Sequence, residues 1–89
     1  MRRQYVIEGE VQGVGFRYFT VSTARRIGIG GWVRNLPDGG VEAVGEGTAD
    51  QMKEFEAALR RGPPAAIVTN VRIGDVSDEV EVPLSFQVR

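Results

Sequence analysis

Gln4-Tyr5-Val6-Ile7-Glu8-Gly9-Glu10-Val11-Gln12-Gly13-Val14-Gly15-Phe16-Arg17 changes its hydrophobic period partway along, and that change decides the fold. Across residues 4–11, Tyr5, Ile7 and Val11 fall on one side at a spacing of two, with Glu8 and Glu10 on the other, as in a strand with one buried face. Its length suits a central strand. Gln12-Gly13-Val14-Gly15 interrupts the pattern, because glycine adopts backbone angles that other residues resist, and reads as a tight loop. From Phe16 the spacing turns helical: Phe16, Phe19 or Thr20, Thr23 or Ala24, and Ile27 share a stripe. Arg17, Arg25 and Arg26 lie largely off it, and Gly28 supplies the stop.

Downstream, residues 31–35 form a second strand, and Leu36-Pro37-Asp38-Gly39-Gly40 is a turn, since proline fixes one dihedral and glycine frees the next. Residues 41–46 complete a hairpin. Thr48 and Gln51 have capping-box spacing, and Met52, Phe55 and Leu59 make the apolar stripe of a second helix ending near Arg61. Gly62-Pro63-Pro64 breaks it. Residues 67–76 resume an extended pattern with Thr69, Val71 and Ile73 on one face. Residues 77–83 form an acidic loop, and residues 86–88 add a short edge strand. The order βαββαβ defines an α+β, ferredoxin-like split βαβ sandwich, an antiparallel sheet with two helices on one face.

At 89 residues the chain is expected to be a single domain, 1–89, with one core and one modest site. The absence of cysteine removes disulfides, thiolate metal sites and cysteine nucleophiles, and the absence of histidine removes the commonest metal ligand and general base. No metal and no cofactor are expected. No stretch is apolar over the roughly 20 residues that a membrane helix needs, so no membrane partner and a cytoplasmic location are expected. A formal charge of -1 gives no general attraction to nucleic acid, so an anion site must be local.

Two segments carry chemistry. In the first, a strand feeds through a glycine loop into a helix N-terminus, which points unpaired N–H groups and the positive end of the helix dipole into one concavity. Arg17, in the first helical turn, can fold over that cradle with a planar fork matched to phosphate. The plainer alternative is a turn with Arg17 merely solvated. The loop is not a P-loop, which ends in Gly-Lys-Ser/Thr, nor a dinucleotide fingerprint, since Tyr18 stands at its third glycine. Gly13, Gly15, Phe16 and Phe19 agree with part of an RNP1 pattern, but Gln12 and Val14 occupy its basic and aromatic positions, and the segment lies on a helix. In the second segment, Gly31-Trp32-Val33-Arg34-Asn35, Asn35 is either a turn former bonded to nearby backbone or a functional amide. Trp32 reads as core or sheet surface, and Arg34 as solvated.

Gly9-x-Val11-Gln12-Gly13-Val14-x-Phe16-Arg17 and Gly31-Trp32-Val33-Arg34-Asn35-x-x-x-Gly39-x-Val41, followed by Gly47, resemble the two signature segments of the acylphosphatase family. The resemblance extends over essentially the whole chain, including the closing Phe86-x-Val88. It implies hydrolysis of acyl phosphates to carboxylate and inorganic phosphate. The phosphate would bind to the loop N–H groups of Gly13, Val14, Gly15, Phe16 and Arg17 and to the Arg17 guanidinium, while Asn35 orients the attacking water. Arg17 and Asn35 are then the catalytic residues. Glu10 stands where members commonly carry an uncharged or basic residue, and is expected to weaken phosphate affinity if it lies near the cradle.

A monomer acting on a small acyl phosphate is the expected state, with the acyl group largely toward solvent and broad substrate tolerance. The rival is a noncatalytic module of the same fold that holds an anion, RNA or a protein partner. Asn35 discriminates, because plain anion binding needs no water-positioning amide. A domain of a larger carbamoyl-transfer machine is a second rival, which the placement of the chain ends at the domain edges disfavours.

Overall fold

Alternating burial along the first strand sets the layers of the sandwich. In the computed structural model, which describes every residue from Met1 to Arg89, β1 (Arg2–Glu10) buries Tyr5 and Ile7 completely. It is followed by α1 (Phe16–Ile27), β2 (Gly30–Asn35), β3 (Val41–Glu46), α2 (Ala49–Arg61), β4 (Ile67–Asp75) and β5 (Gln87–Val88). The sheet order is β4-β1-β3-β2-β5, so β1 and β3 are central. The four long strands pair antiparallel. β5 joins β2 in parallel, which makes the five-stranded sheet mixed rather than wholly antiparallel. Parallel pairing follows from the 76–86 segment, which returns the chain to the start of β2 before it pairs, whereas a hairpin would reverse it.

Both helices bury their stripes against the same sheet face. One core joins Tyr5, Ile7, Val33, Val41 and Ala43 from the strands to Phe16, Val21 and Ala24 of α1 and Met52, Phe55 and Leu59 of α2. Phe55 makes edge-to-face contacts with Tyr5 at 5.6 Å and Phe86 at 5.8 Å between ring centroids. Phe86 is thereby pinned in the core, and burial of such a ring contributes roughly 2–3 kcal/mol. That anchor fixes the segment which leads into β5.

The helix ends follow from local chemistry. Gly28 closes α1 in the left-handed conformation, its N–H bonded to the Ala24 carbonyl at 2.8 Å. Thr48 and Gln51 form the expected reciprocal capping box at the start of α2. The α1 stripe runs through Phe16, Thr20, Thr23 and Ala24 as expected, with Val21 buried beside them, while Phe19 and Ile27 are half-buried. Thr20 is tolerated there because its hydroxyl donates to the Phe16 carbonyl at 2.9 Å.

One expectation for β4 is corrected. Val71 is buried, but Thr69 does not share its face, because the register slips by a residue between Glu8 and Gly9 and pairs Gly9 with Val68. Val68 packs against the core in its place. Gly9 is required at this bulge: its φ is 125°, and a Cβ would sit 2.1 Å from the Ile67 carbonyl oxygen.

On the helix-free face of the sheet, Trp32 is buried. The Arg34 and Arg89 guanidinium groups lie 5.6 and 5.1 Å from its ring centroid. Arg34 is also bound to the buried Glu42 carboxylate at 2.6 Å, so it is held rather than simply solvated. The acidic segment crosses this face. Arg2 donates to the carbonyl of Val80 at 2.9 Å, so the loop is held by its backbone, with Asp78 and Glu79 exposed. No helix is long and apolar enough to cross a membrane.

Candidate active site

The loop between β1 and α1 takes its shape from two glycines. Gly13 has φ 75°, and Gly15, the N-cap of α1, has φ 78° and ψ 22°. Both lie in the left-handed region, with nothing within 4 Å of where a Cβ would stand. They are there for backbone direction, not for close packing. The consequence is a run of uncommitted donors. The N–H of Phe19 is the first of α1 to find an acceptor, the Gly15 carbonyl at 3.0 Å, and no side chain caps the helix. The N–H groups of Gly13, Val14, Gly15, Phe16, Arg17 and Tyr18 have no acceptor within the chain. With the helix dipole behind them, such groups are a receptor for an anion.

Above this junction lies a hollow of about 610 Å³. Gly13, Gly15, Phe16 and Arg17 line it from the loop and the first turn of α1, and Asn35 lines it from the end of β2. The two expected catalytic side chains are therefore brought to one cavity. Val14 is placed otherwise: its half-buried side chain packs on the core and lines a neighbouring depression, so only its N–H is available to the cradle. Glu10 does not line the hollow, since alternation along β1 puts Val11, not Glu10, on its wall.

Arg17 forms no ion pair, whereas Arg2, Arg26, Arg34, Arg60 and Arg72 each pair with a glutamate. Asn35 makes no side-chain hydrogen bond, so it is not the turn former that its position allowed. The turn is held by others: Asp38 accepts from the Gly40 N–H at 2.9 Å, and Gln12 donates from one amide nitrogen to the carbonyls of Leu36 at 2.7 Å and Gly40 at 2.8 Å. Gln12 thus ties the cradle loop to the turn that carries Asn35. Sequence reasoning assigned it no such role, and it also left out Tyr18, Val21, Arg25 and Val88, which complete the lining. For Val21 and Arg25 a signal existed, since both follow Arg17 at steps of four along a helix.

No group of three or more His, Cys, Asp or Glu side chains is gathered as a metal site. The chemistry on offer is anion binding by backbone amides and by the guanidinium groups of Arg17 and Arg25, neither of which is in an ion pair, beside a free carboxamide.

A split βαβ sandwich with an anion-receptive loop at its first βα junction defines a class of small α+β proteins built to receive an anion there. Sequence comparison narrows the class: the acylphosphatase family profile matches residues 3–88. The chain belongs to the acylphosphatase family. An acylphosphatase from Trichormus variabilis is 53% identical over 73 residues, covering 82% of this chain and 72% of that protein. One from Bifidobacterium longum is 44% identical over 89 residues, covering 100% of this chain and 92% of that protein. Among solved structures, the acylphosphatase from Bacillus subtilis superposes with a TM-score of 0.91 at 34% identity, covering 99% of this chain and 97% of that one. The same fold occurs within full-length HypF, at a TM-score of 0.82 and 26% identity, where the match spans 99% of this chain and 11% of that one.

Proposed function

We propose that the chain hydrolyses the carboxyl-phosphate anhydride of acyl phosphates, with the N–H groups of residues 13–17 and the Arg17 guanidinium holding the phosphoryl group and Asn35 placing the attacking water. The observation that carries this reading is convergence. Arg17 from α1 and Asn35 from β2 line one hollow with the uncommitted amides, and neither engages its polar end inside the protein. A noncatalytic anion binder of this fold has no use for a free carboxamide at that place.

The residues suffice because the substrate is already activated. Its leaving group is a carboxylate, a weak base that departs without protonation, so no strong general acid is required. In a loose transition state the water oxygen is only weakly bonded as the P–O bond to the acyl group breaks. Catalysis then reduces to holding the phosphoryl group, stabilising its charge and aligning water. The electron pair leaves with the carboxylate, the water oxygen bonds to phosphorus, and one water proton passes to a phosphoryl oxygen. The products are carboxylate and dihydrogen phosphate, with no protein base consumed.

No metal or cofactor takes part in this scheme. The same reading takes the chain as a cytoplasmic monomer, a single domain acting on a small molecule, and its net charge of -1 gives no general attraction to nucleic acid. Continuous assay of benzoyl phosphate with EDTA present tests the reading. Turnover by the wild type and its near-complete loss in Arg17→Ala are expected, and undiminished turnover in that variant overturns the assignment.

A further inference from the structure

The hollow is far larger than a phosphoryl group. Its volume of about 610 Å³ lies in the range of roughly 300–1,000 Å³ that encloses whole small-molecule ligands. Beyond the cradle it follows α1, where Arg17, Val21 and Arg25 recur at steps of four and so lie along one side of the helix. Val88 of β5 supplies apolar surface from the sheet, and Tyr18, 81% exposed, stands at the rim.

Arg25 closes the far end. It lies about 12 Å from Arg17 along the helix axis, and side chains on a helix lean toward its N-terminus, which brings the guanidinium back toward the cradle. One of its terminal nitrogens donates to the Phe86 carbonyl at 3.1 Å, and Phe86 is itself fixed in the core. The rest of the fork has no partner. Arg25, like Arg17, is absent from the chain's ion pairs. The hollow is thus a trough with an unpaired cation at each end and apolar surface between.

Resting on the hydrolase reading above, we infer that this site selects acyl phosphates whose acyl group has an apolar body and a second anionic group at its far end. The phosphoryl group occupies the cradle, the body lies against Val21 and Val88 with Tyr18 over it, and the distal anion meets Arg25. This replaces the expectation that the acyl group projects into solvent without selection. A rigid aromatic acyl group suits the trough, because it spans from cradle to Arg25 without loss of chain entropy on binding.

The test compares benzoyl phosphate with 4-carboxybenzoyl phosphate, which differ only in the distal carboxylate. Wild-type enzyme is expected to favour the carboxylated substrate in kcat/KM, chiefly through a lower KM. In Arg25→Gln, which keeps a donor for the Phe86 carbonyl, the ratio of the two kcat/KM values is expected to fall about fivefold. Dividing one substrate by the other removes any change of folding or of the phosphate cradle that the substitution brings. An unaltered ratio overturns the inference while leaving the hydrolase reading intact. Failure of the wild type to hydrolyse either substrate overturns both.

Discussion

The side-chain amide of Gln12 lies 2.7 Å from the carbonyl oxygen of Leu36, the residue that follows Asn35. The same nitrogen reaches the Gly40 carbonyl at 2.8 Å, so one group on the cradle loop closes the turn across 24 and 28 positions of chain. Misplacement of a reacting group by about 1 Å can reduce a rate on the order of 100-fold, while a partly exposed hydrogen bond contributes only about 1 kcal/mol to stability. Gln12→Ala is therefore expected to lower kcat by roughly 10- to 100-fold with a small change in urea midpoint. Gln12→Glu should be worse, because a carboxylate would face two carbonyls with nothing to donate. Wild-type kcat in either variant would show that Asn35 is positioned by the hairpin alone.

Arg17 and Asn35 should fail differently. In the proposed scheme Arg17 binds the phosphoryl group and stabilises its charge, so Arg17→Ala is expected to lose activity almost entirely together with competitive inhibition by phosphate. Arg17→Lys keeps the charge without the planar fork and should recover only part of it. Asn35→Ala should act mainly on kcat, by about 2.7–4 kcal/mol if its amide is worth as much as one preorganised donor. Steady-state kinetics with benzoyl phosphate separate the two, and a raised KM at full kcat for Asn35→Ala contradicts water positioning.

The strand and helix positions were legible because the hydrophobic period changes from two to 3.6 at Gly15 and Phe16, where burial in the structure changes with it. The capping box was legible for a similar reason, being chemistry within four residues. Long-range register was not. Nothing local to Thr69 announces that a bulge opposite Gly9 turns it from the core, and nothing in residues 86–88 shows that they pair in parallel with β2. The two signature segments pointed to Arg17 and Asn35, but whether Asn35 is free depends on Gln12 and Asp38 holding the turn without it. A glutamine in a loop has no periodicity to betray such a role.

Tyr5 offers a pH test. Its hydroxyl is buried without a hydrogen-bond partner, and burial first, then Glu56, pushes its pKa up from 10.0 to about 12. The folded state therefore holds this proton more tightly than the unfolded chain. Its contribution to stability is complete below pH 10 and is lost as pH rises from about 10 through 12. Tyr5→Phe removes both the titration and an unsatisfied buried hydroxyl. It is expected to be neutral or stabilising by about 1 kcal/mol near neutrality, and to flatten the alkaline limb of the stability curve. Urea unfolding across pH 7–12 checks this, and an equally steep limb in the variant assigns the alkaline loss to other groups.

Gly9 and Gly15 both have positive φ, yet their alanine variants should separate fold from function. At Gly9 a Cβ would lie 2.1 Å from the Ile67 carbonyl oxygen and 2.9 Å from the Thr69 nitrogen, so β1 and β4 must part at the bulge. Gly9→Ala is expected to destabilise by more than about 3 kcal/mol, since backbone strain and a backbone clash combine there. At Gly15 the space is open, and only the left-handed conformation, worth about 1–2 kcal/mol against an L side chain, opposes the change. The loop can relieve that strain by rotating, but rotation turns the Phe16 and Arg17 N–H groups away from a common point. Gly15→Ala should therefore remain folded while phosphate inhibition and kcat/KM for benzoyl phosphate fall at least tenfold. Full phosphate affinity in a folded Gly15→Ala protein would mean that Arg17, not the backbone amides, does most of the anion binding.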